Sequence, residues 1–233
     1  MVRQSHEVHA EDGTRLTARA VIRLFQPADD AAIRRICFDT ALYGESMAPL
    51  LDDPALIAEA LLGDYTRFEP EGLWVAEDAG RVVGYLSACA DTRRSERLYA
   101  LHIAPRLALR FLVRGHWLRP RLWRFGVCSG VHARNVHRAR QTVLASHPAH
   151  LHINIEKESR GNGVGRALLE RSLTSFYNQS VKGVHIFAAS QGGRAFFARA
   201  GFEVLAKTHG CSVTDGSNVE TWLMGKLLKG VKP

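Results

Sequence analysis

The residues most able to do chemistry stand together in the run Leu151–Leu169, L-H-I-N-I-E-K-E-S-R-G-N-G-V-G-R-A-L-L. Leu151, Ile153 and Ile155 alternate with His152 and Asn154, the period-two pattern of a strand. A glycine-rich turn at Arg160–Gly165 follows and opens a helix. Successive backbone N–H groups at a helix start form a cavity for anionic oxygen. Gly161, Gly163 and Gly165 let the backbone approach closely, because no Cβ intervenes, and Arg160 adds a fork of donors at the entrance. Such a site wants a phosphate.

Two common phosphate loops are excluded by spacing. A Walker loop needs G-x-x-x-x-G-K-[ST], and the turn has no Lys-Ser/Thr pair. The dinucleotide fingerprint G-x-G-x-x-G fails because the third glycine, Gly165, comes one residue too early.

The elements around this turn read as an α/β chain. Arg19–Leu24 alternates as a first strand, and Pro27–Asp30 supplies a turn and a cap for a helix carrying Ile33, Ile36 and Cys37. Asp53 and Pro54 open a second helix to Leu62, with Gly63–Gly72 as loop. Leu73–Glu77 and Arg81–Ala88 form a hairpin around Asp78-Ala79-Gly80. After the phosphate turn a helix runs to about Tyr177 with Leu169, Leu173 and Phe176 on its buried face. Gly183–Ala189 is a strand and Arg194–Ala200 a helix stopped by Gly201. Phe202–Leu205 and Glu220–Leu228 are the last strands. A strand–helix–strand crossover makes a parallel pair inside a mixed sheet.

The spacing that fits the turn is [Q/R]-x-x-G-x-[G/A], as Arg160-x-x-Gly163-x-Gly165. It resembles the coenzyme-A pyrophosphate loop of the GNAT N-acetyltransferase superfamily. Ala195-Phe-Phe-Ala-Arg-Ala-Gly-Phe202 is similar to that family's A-x-x-F-Y-x-x-x-G-F helix, and Trp222-Leu-Met-Gly-Lys-Leu to its closing strand. Further stretches narrow the resemblance: Pro148-Ala-His-Leu-His-Ile-Asn, Asp53-Pro54, Gly63-Asp-Tyr65, Glu69-Pro70, Val82–Tyr85 and Asp91-Thr92. These are similar to the group containing the acetyltransferase-like domain of O-GlcNAc hydrolases. The resemblance spans roughly residues 20–228, with a poorly matched middle.

The resemblance implies an α/β GNAT fold, a mixed central sheet whose strands 4 and 5 splay apart, with helices on both faces. It implies acetyl-CoA, or another acyl-CoA, as co-substrate, no metal, and transfer of an acyl group to an amine of a small molecule or protein. Ile153 and Ile155 would offer backbone groups to the pantetheine arm. Arg160, Gly161, Asn162, Gly163, Val164, Gly165 and Arg166 would bind the pyrophosphate. It also implies homodimers paired through sheet edges. In that family a tyrosine after strand 5 often protonates the leaving thiolate; here the position holds Phe197, which has no proton to give. Ser190 or a water would then stand in, the leaving group needs no acid, the donor is not acetyl-CoA, or the chain is a catalytically inactive coenzyme-A-binding domain.

For the base, His152 has the right intrinsic pKa and Asn154 can orient it, both read as outward-facing on strand 4. The alternative is that both are polar strand residues against a neighbouring helix. Asp91 is read as lining the substrate mouth or as a turn residue. His185 is read as structural, and Glu156 and Glu158 as solvated.

Charge is local. Between Arg93 and Arg140 stand twelve arginines, no lysine and one acid, Glu96, a formal +11. The chain as a whole carries +8, so the remainder carries −3. The segment reads as an insertion at about 93–147 in a single domain, 19–233, that follows a leader, 1–18. Pro105, Gly115, Pro120, Gly126 and Gly130 are expected to break it into short helices and loops. It is a solvated lid, a dock for an acidic protein or acyl carrier protein, a membrane-surface segment, or an RNA surface. The RNA reading would make the chain a transferase taking an aminoacyl group from charged tRNA.

At 233 residues and 46% hydrophobic content the chain supports a sizeable core without a staple. The four cysteines form no C-x-x-C pair and are expected to be free thiols. No stretch reaches the roughly 18 apolar residues of a membrane span, and no secretory signal is visible. The expected location is cytoplasmic.

Overall fold

Ala79 and Gly80 both have positive φ, 49° and 77°. That is the two-residue turn whose twist matches paired strands, and it closes the expected hairpin of β2 (Leu73–Asp78) and β3 (Arg81–Cys89). The computed structural model describes residues 20–42, 44–211 and 218–228. The expected leader and Arg19 lie outside the described residues. β1 (Val21–Leu24) pairs with β2, and β4 (Ala149–Ile155) with β3. β5 (Gly183–Ala188), β6 (Glu203–Cys211) and β7 (Asn218–Leu227) complete a sheet of order β1-β2-β3-β4-β5-β7-β6. Among the described residues only β4 and β5 run parallel, so the sheet is mixed as expected.

Helices cover both faces. α6 (Val164–Asn178) and α7 (Gln191–Arg199) close one face over Val83, Leu86, Leu151, Leu168, Phe176 and Ile186. α1 (Asp30–Thr40) and α2 (Pro54–Phe68) close the other over Ile33, Ile36, Leu62, Val75 and Tyr85. Asp53 caps α2, its Oδ1 accepting from Leu56 N–H at 3.0 Å. α2 runs past the expected stop at Leu62, so residues 63–68 are helix and not loop. Leu62, Gly63, Asp64 and Tyr65 are buried there, and Arg67 pairs with Glu59 at 2.6 Å. Tertiary packing overrides the low helix propensity of Gly63.

The arginine segment also departs from expectation. It is nearly continuous helix: α3 (Thr92–Leu98), a π-helical turn at Tyr99–Ile103, α4 (Ala104–Val113), and the 22-residue α5 (Pro120–Gln141). Pro105 and Pro120 fall in first turns, where the missing N–H is not needed. Gly126 and Gly130 sit inside α5 without ending it. Asp53 anchors the segment: its Oδ2 accepts from His116 Nε2 at 3.0 Å, and Arg110 lies 3.6 Å away. α3 is held to α2 by the Arg94–Glu69 ion pair and by Ser95 donating to Asp64 at 3.1 Å. Cys37 and Cys89 are free and buried, whereas Cys128 is disulfide-bonded, against the expectation of free thiols throughout.

Gly72 marks the tightest approach between the α2–β2 connection and the sheet. A Cβ there would lie 2.0 Å from Ala88 O, which is backbone and cannot swing away. Gly72→Ala is therefore expected to cost about 1–3 kcal/mol and to lower Tm by several degrees in a thermal melt. An unchanged Tm would contradict the packing described.

Candidate active site

Glu156 N–H donates to Val83 O at 2.9 Å, and Tyr85↔Asn154 and Gly84↔Ile155 are register partners. Hydrogen-bonded and non-hydrogen-bonded pairs alternate along an antiparallel ladder. The even-numbered residues of β4 therefore turn N–H and C=O toward β3, and Ile153 and Ile155 turn theirs away from it, toward β5. But β5 meets β4 only at Ala149↔Val184 and His150↔His185. Beyond those pairs the strands part, and the backbone groups of Ile153 and Ile155 face a gap inside the sheet. Ile155 O accepts from Arg160 Nε at 3.0 Å. The remaining groups suit an extended ligand that carries amides of its own.

The turn after β4 aims at the mouth of this gap. Gly161 and Gly163 both have φ of +82°, a conformation that favours glycine, and Gly163 caps α6. The first ladder bond of α6 is Ala167 N–H to Gly163 O at 3.0 Å. Among the described residues, the N–H groups of 161–166 thus have no backbone acceptor. A Cβ on Gly161 would meet nothing within 4 Å, so the space before the loop is open. A Cβ on Gly165 would lie 2.9 Å from Ile155 Cδ1, so this third glycine permits α6 to pack on β4. Val164 is buried in the core and offers only its backbone, while Asn162 is exposed. The donor set fits a diphosphate.

Two arginines of the turn are already engaged. Arg160 Nη2 donates to Gly44 O at 2.8 Å and Arg166 Nε to Glu170 at 2.7 Å. Arg160 is therefore also a clamp between the end of β4 and the loop after α1. Glu156, expected in solvent, is buried between Arg35 and Arg81, both at 2.5 Å. It holds the exit of β4 against α1 and β3.

His150, His152 and Asn154 share the opposite face of β4, toward α1 and α2. His152 is exposed, with many protein neighbours around the ring. That crowding lowers its pKa, so it is neutral at pH 7. Asn154 does not face outward: it is buried, and its Nδ2 donates to Tyr85 Oη at 2.8 Å. Ser190 is exposed and caps α7, its Oγ accepting from Gly193 N–H at 3.1 Å with its own proton left to give. Phe197 is buried edge-to-face with Phe196 and Phe202, at 5.0 and 5.3 Å. Asp91 caps α3 by accepting from Arg93 and Arg94 N–H at 3.0 and 3.1 Å.

The fork between β4 and β5 is built from residues outside the set that sequence reasoning singles out as catalytic. Thr92 Oγ1 donates its one proton to Pro148 O at 2.6 Å. It must therefore accept from His150 Nδ1–H, 2.8 Å away. His150 Nε2 is then the acceptor for Tyr65 O–H at 2.7 Å. Burial, with Arg140 and His185 nearby, drives the His150 pKa well below the usual range. On β5, His185 Nδ1–H donates to His147 O at 2.8 Å. The signal for this network was present: Tyr65 and Thr92 both lie in stretches matched by family resemblance.

These imidazoles make folding acid-sensitive. Burial first, with Arg140 and His147 adding to it, lowers His185 from 6.5 to about 4. The folded state then prefers the neutral ring, while the unfolded chain takes up its proton near 6.5. Stability is full above that pH and is lost as pH falls toward 4, by on the order of 3 kcal/mol for this ring. Chemical denaturation at pH 7, 6 and 5 is expected to show that loss. His185→Asn, which keeps a donor for His147 O, is expected to flatten it; an equally steep fall would contradict the assignment.

Comparisons with known proteins agree with this geometry. Residues 36–202 match the model of the acetyltransferase (GNAT) family. Over the whole fold the chain is similar to SsHAT, with 28% identity and TM-score 0.66, covering 89% of this chain and 98% of that one. It is similar to a GNAT superfamily phosphinothricin acetyltransferase of Sinorhizobium meliloti in complex with AcCoA, at 21% identity and TM-score 0.56, covering 92% of each chain. Yet another similar fold is yncA of Salmonella typhimurium with its cofactor acetyl-CoA, at 18% identity and TM-score 0.56, covering 92% of this chain and 97% of that one. The match of the family model over most of the chain, and the splayed parallel pair at β4 and β5, make this chain a member of the acetyltransferase (GNAT) family with the GNAT fold.

Proposed function

We propose that this chain is an acyl-CoA-dependent N-acyltransferase that moves acetyl from acetyl-CoA to an amine of a small molecule or protein. The observation that carries the reading is the gap beside Ile153 and Ile155, opening onto the unclaimed N–H row of residues 161–166. The acetyl-CoA in two structures of the same fold supports it.

When bound, acetyl-CoA supplies a thioester as an activated acyl group. The N–H groups of 161–166 bind its diphosphate. Backbone groups of Ile153 and Ile155 align the pantetheine arm in the gap, and an N–H on β4 polarises the thioester carbonyl. Neutral, exposed His152 takes the proton of the attacking amine. Asn154 is committed to Tyr85 and acts by holding β4 against β3. The buried Phe197 gives no proton, so the thiolate takes one from water, directly or relayed through the exposed Ser190 hydroxyl, which solvent reprotonates.

Calorimetric titration with acetyl-CoA is expected to give saturable binding that Gly163→Glu abolishes, because the change strains a φ of +82° and sets a carboxylate before the diphosphate. With an amine acceptor, His152→Ala is expected to lower kcat by about 10²–10⁴-fold with acetyl-CoA affinity retained. Absence of acetyl-CoA binding to folded protein would overturn the proposal, and unchanged turnover would remove His152 from it.

A further inference from the structure

α4 faces inward through Leu107 and Phe111, which rest on the cluster of Phe38, Met47, Leu51 and Leu122. Arg110, on the same side, lies 3.6 Å from Asp53, and His116 just beyond the helix donates to the same carboxylate. These contacts fix the rotation of the helix. At about 100° per residue its opposite face presents Pro105, Ala108, Leu109, Leu112 and Val113. All five are exposed: Leu109, Leu112 and Val113 by 63%, 58% and 77%. The outer side of a surface helix is ordinarily polar; here both sides are apolar. The chain continues through Gly115 (φ +67°) to Leu118, itself 65% exposed.

Arginines flank α4 along the chain. Arg97, Arg106, Arg114 and Arg119 are exposed, and from Arg97 to Ile155 there is no Asp or Glu. The combination selects among occupants. A second copy of the same face would set like charges against each other. RNA calls for aromatic stacking, whereas apart from Arg106 the exposed side chains of α4 are aliphatic, and Trp117, 47% exposed beyond the helix, suits a bilayer interface as well as a base. An anionic bilayer satisfies both features: the aliphatic groups enter the acyl boundary and the guanidinium groups meet lipid phosphates. Among the described residues no helix is long and apolar enough to cross a membrane. We propose that the outer face of α4 docks this protein on anionic phospholipid membranes, with α4 lying in the interface.

The purified full chain is sedimented with vesicles of phosphatidylcholine alone, or with phosphatidylglycerol added, at near-physiological salt. Binding to the anionic vesicles is expected to exceed binding to neutral ones by at least about tenfold. A Leu109→Glu/Leu112→Glu variant with an unchanged melting curve is expected to lose at least about tenfold, and Arg106→Glu/Arg114→Glu to lose binding also. Parent protein that binds neither vesicle overturns the proposal, as does a folded Leu109→Glu/Leu112→Glu variant that binds as well as parent. Self-association or single-stranded RNA binding through this face, with vesicles unbound, would overturn it too.

Discussion

The structure depends on a fork. β4 and β5 share two register pairs, Ala149↔Val184 and His150↔His185, and then separate. A strand in mid-sheet that loses its neighbour keeps N–H and C=O groups that must be satisfied by something else. The sheet can bear this because each strand is held on its other side: β4 by six register pairs with β3, from Gly84↔Ile155 to Cys89↔His150, and β5 along its length by β7. The open edge is thus a stable feature of the sheet, and the glycine turn of residues 161–165 stands at its mouth.

Each end of β4 is pinned by buried polar chemistry. At the fork, the His150 and His185 rings lie 5.9 Å apart, and both are held neutral by burial. Tyr65 from α2 and Thr92 from α3 complete the pin, so three elements agree on where the strands part. At the far end, Glu156 sits between Arg35 and Arg81, and Arg160 spans from Ile155 O to Gly44 O. Removing one partner of such a set leaves the others buried without one, which is where buried polar groups become costly. His152 lies between the two pins, exposed and positioned by neither.

What could be read from sequence was what repeats locally. The alternation of β4, the glycine turn and the apolar face of α6 are periodicities within a few residues, and they were placed to within a residue or two. The errors share one cause. Gly63, Gly126 and Gly130 read as breakers, yet all lie in helices: burial outweighs about 1 kcal/mol of propensity at Gly63, while the exposed Gly126 and Gly130 are carried within the 22-residue α5. Glu156 read as solvated because its partners stand 121 and 75 residues away. His150 was passed over for the same reason, its partners lying 85 and 58 residues off. Asn154 has the polar character of an outward residue but meets Tyr85, 69 residues distant, inside the protein.

The central claim is that the gap beside β4 and the turn after it form one coenzyme site. Amide hydrogen exchange with and without saturating acetyl-CoA tests it most directly. The account predicts slowed exchange in peptides covering residues 151–155 and 161–166, with the β2–β3 hairpin unchanged. Binding that leaves both of those segments unprotected would place the coenzyme elsewhere and contradict the account.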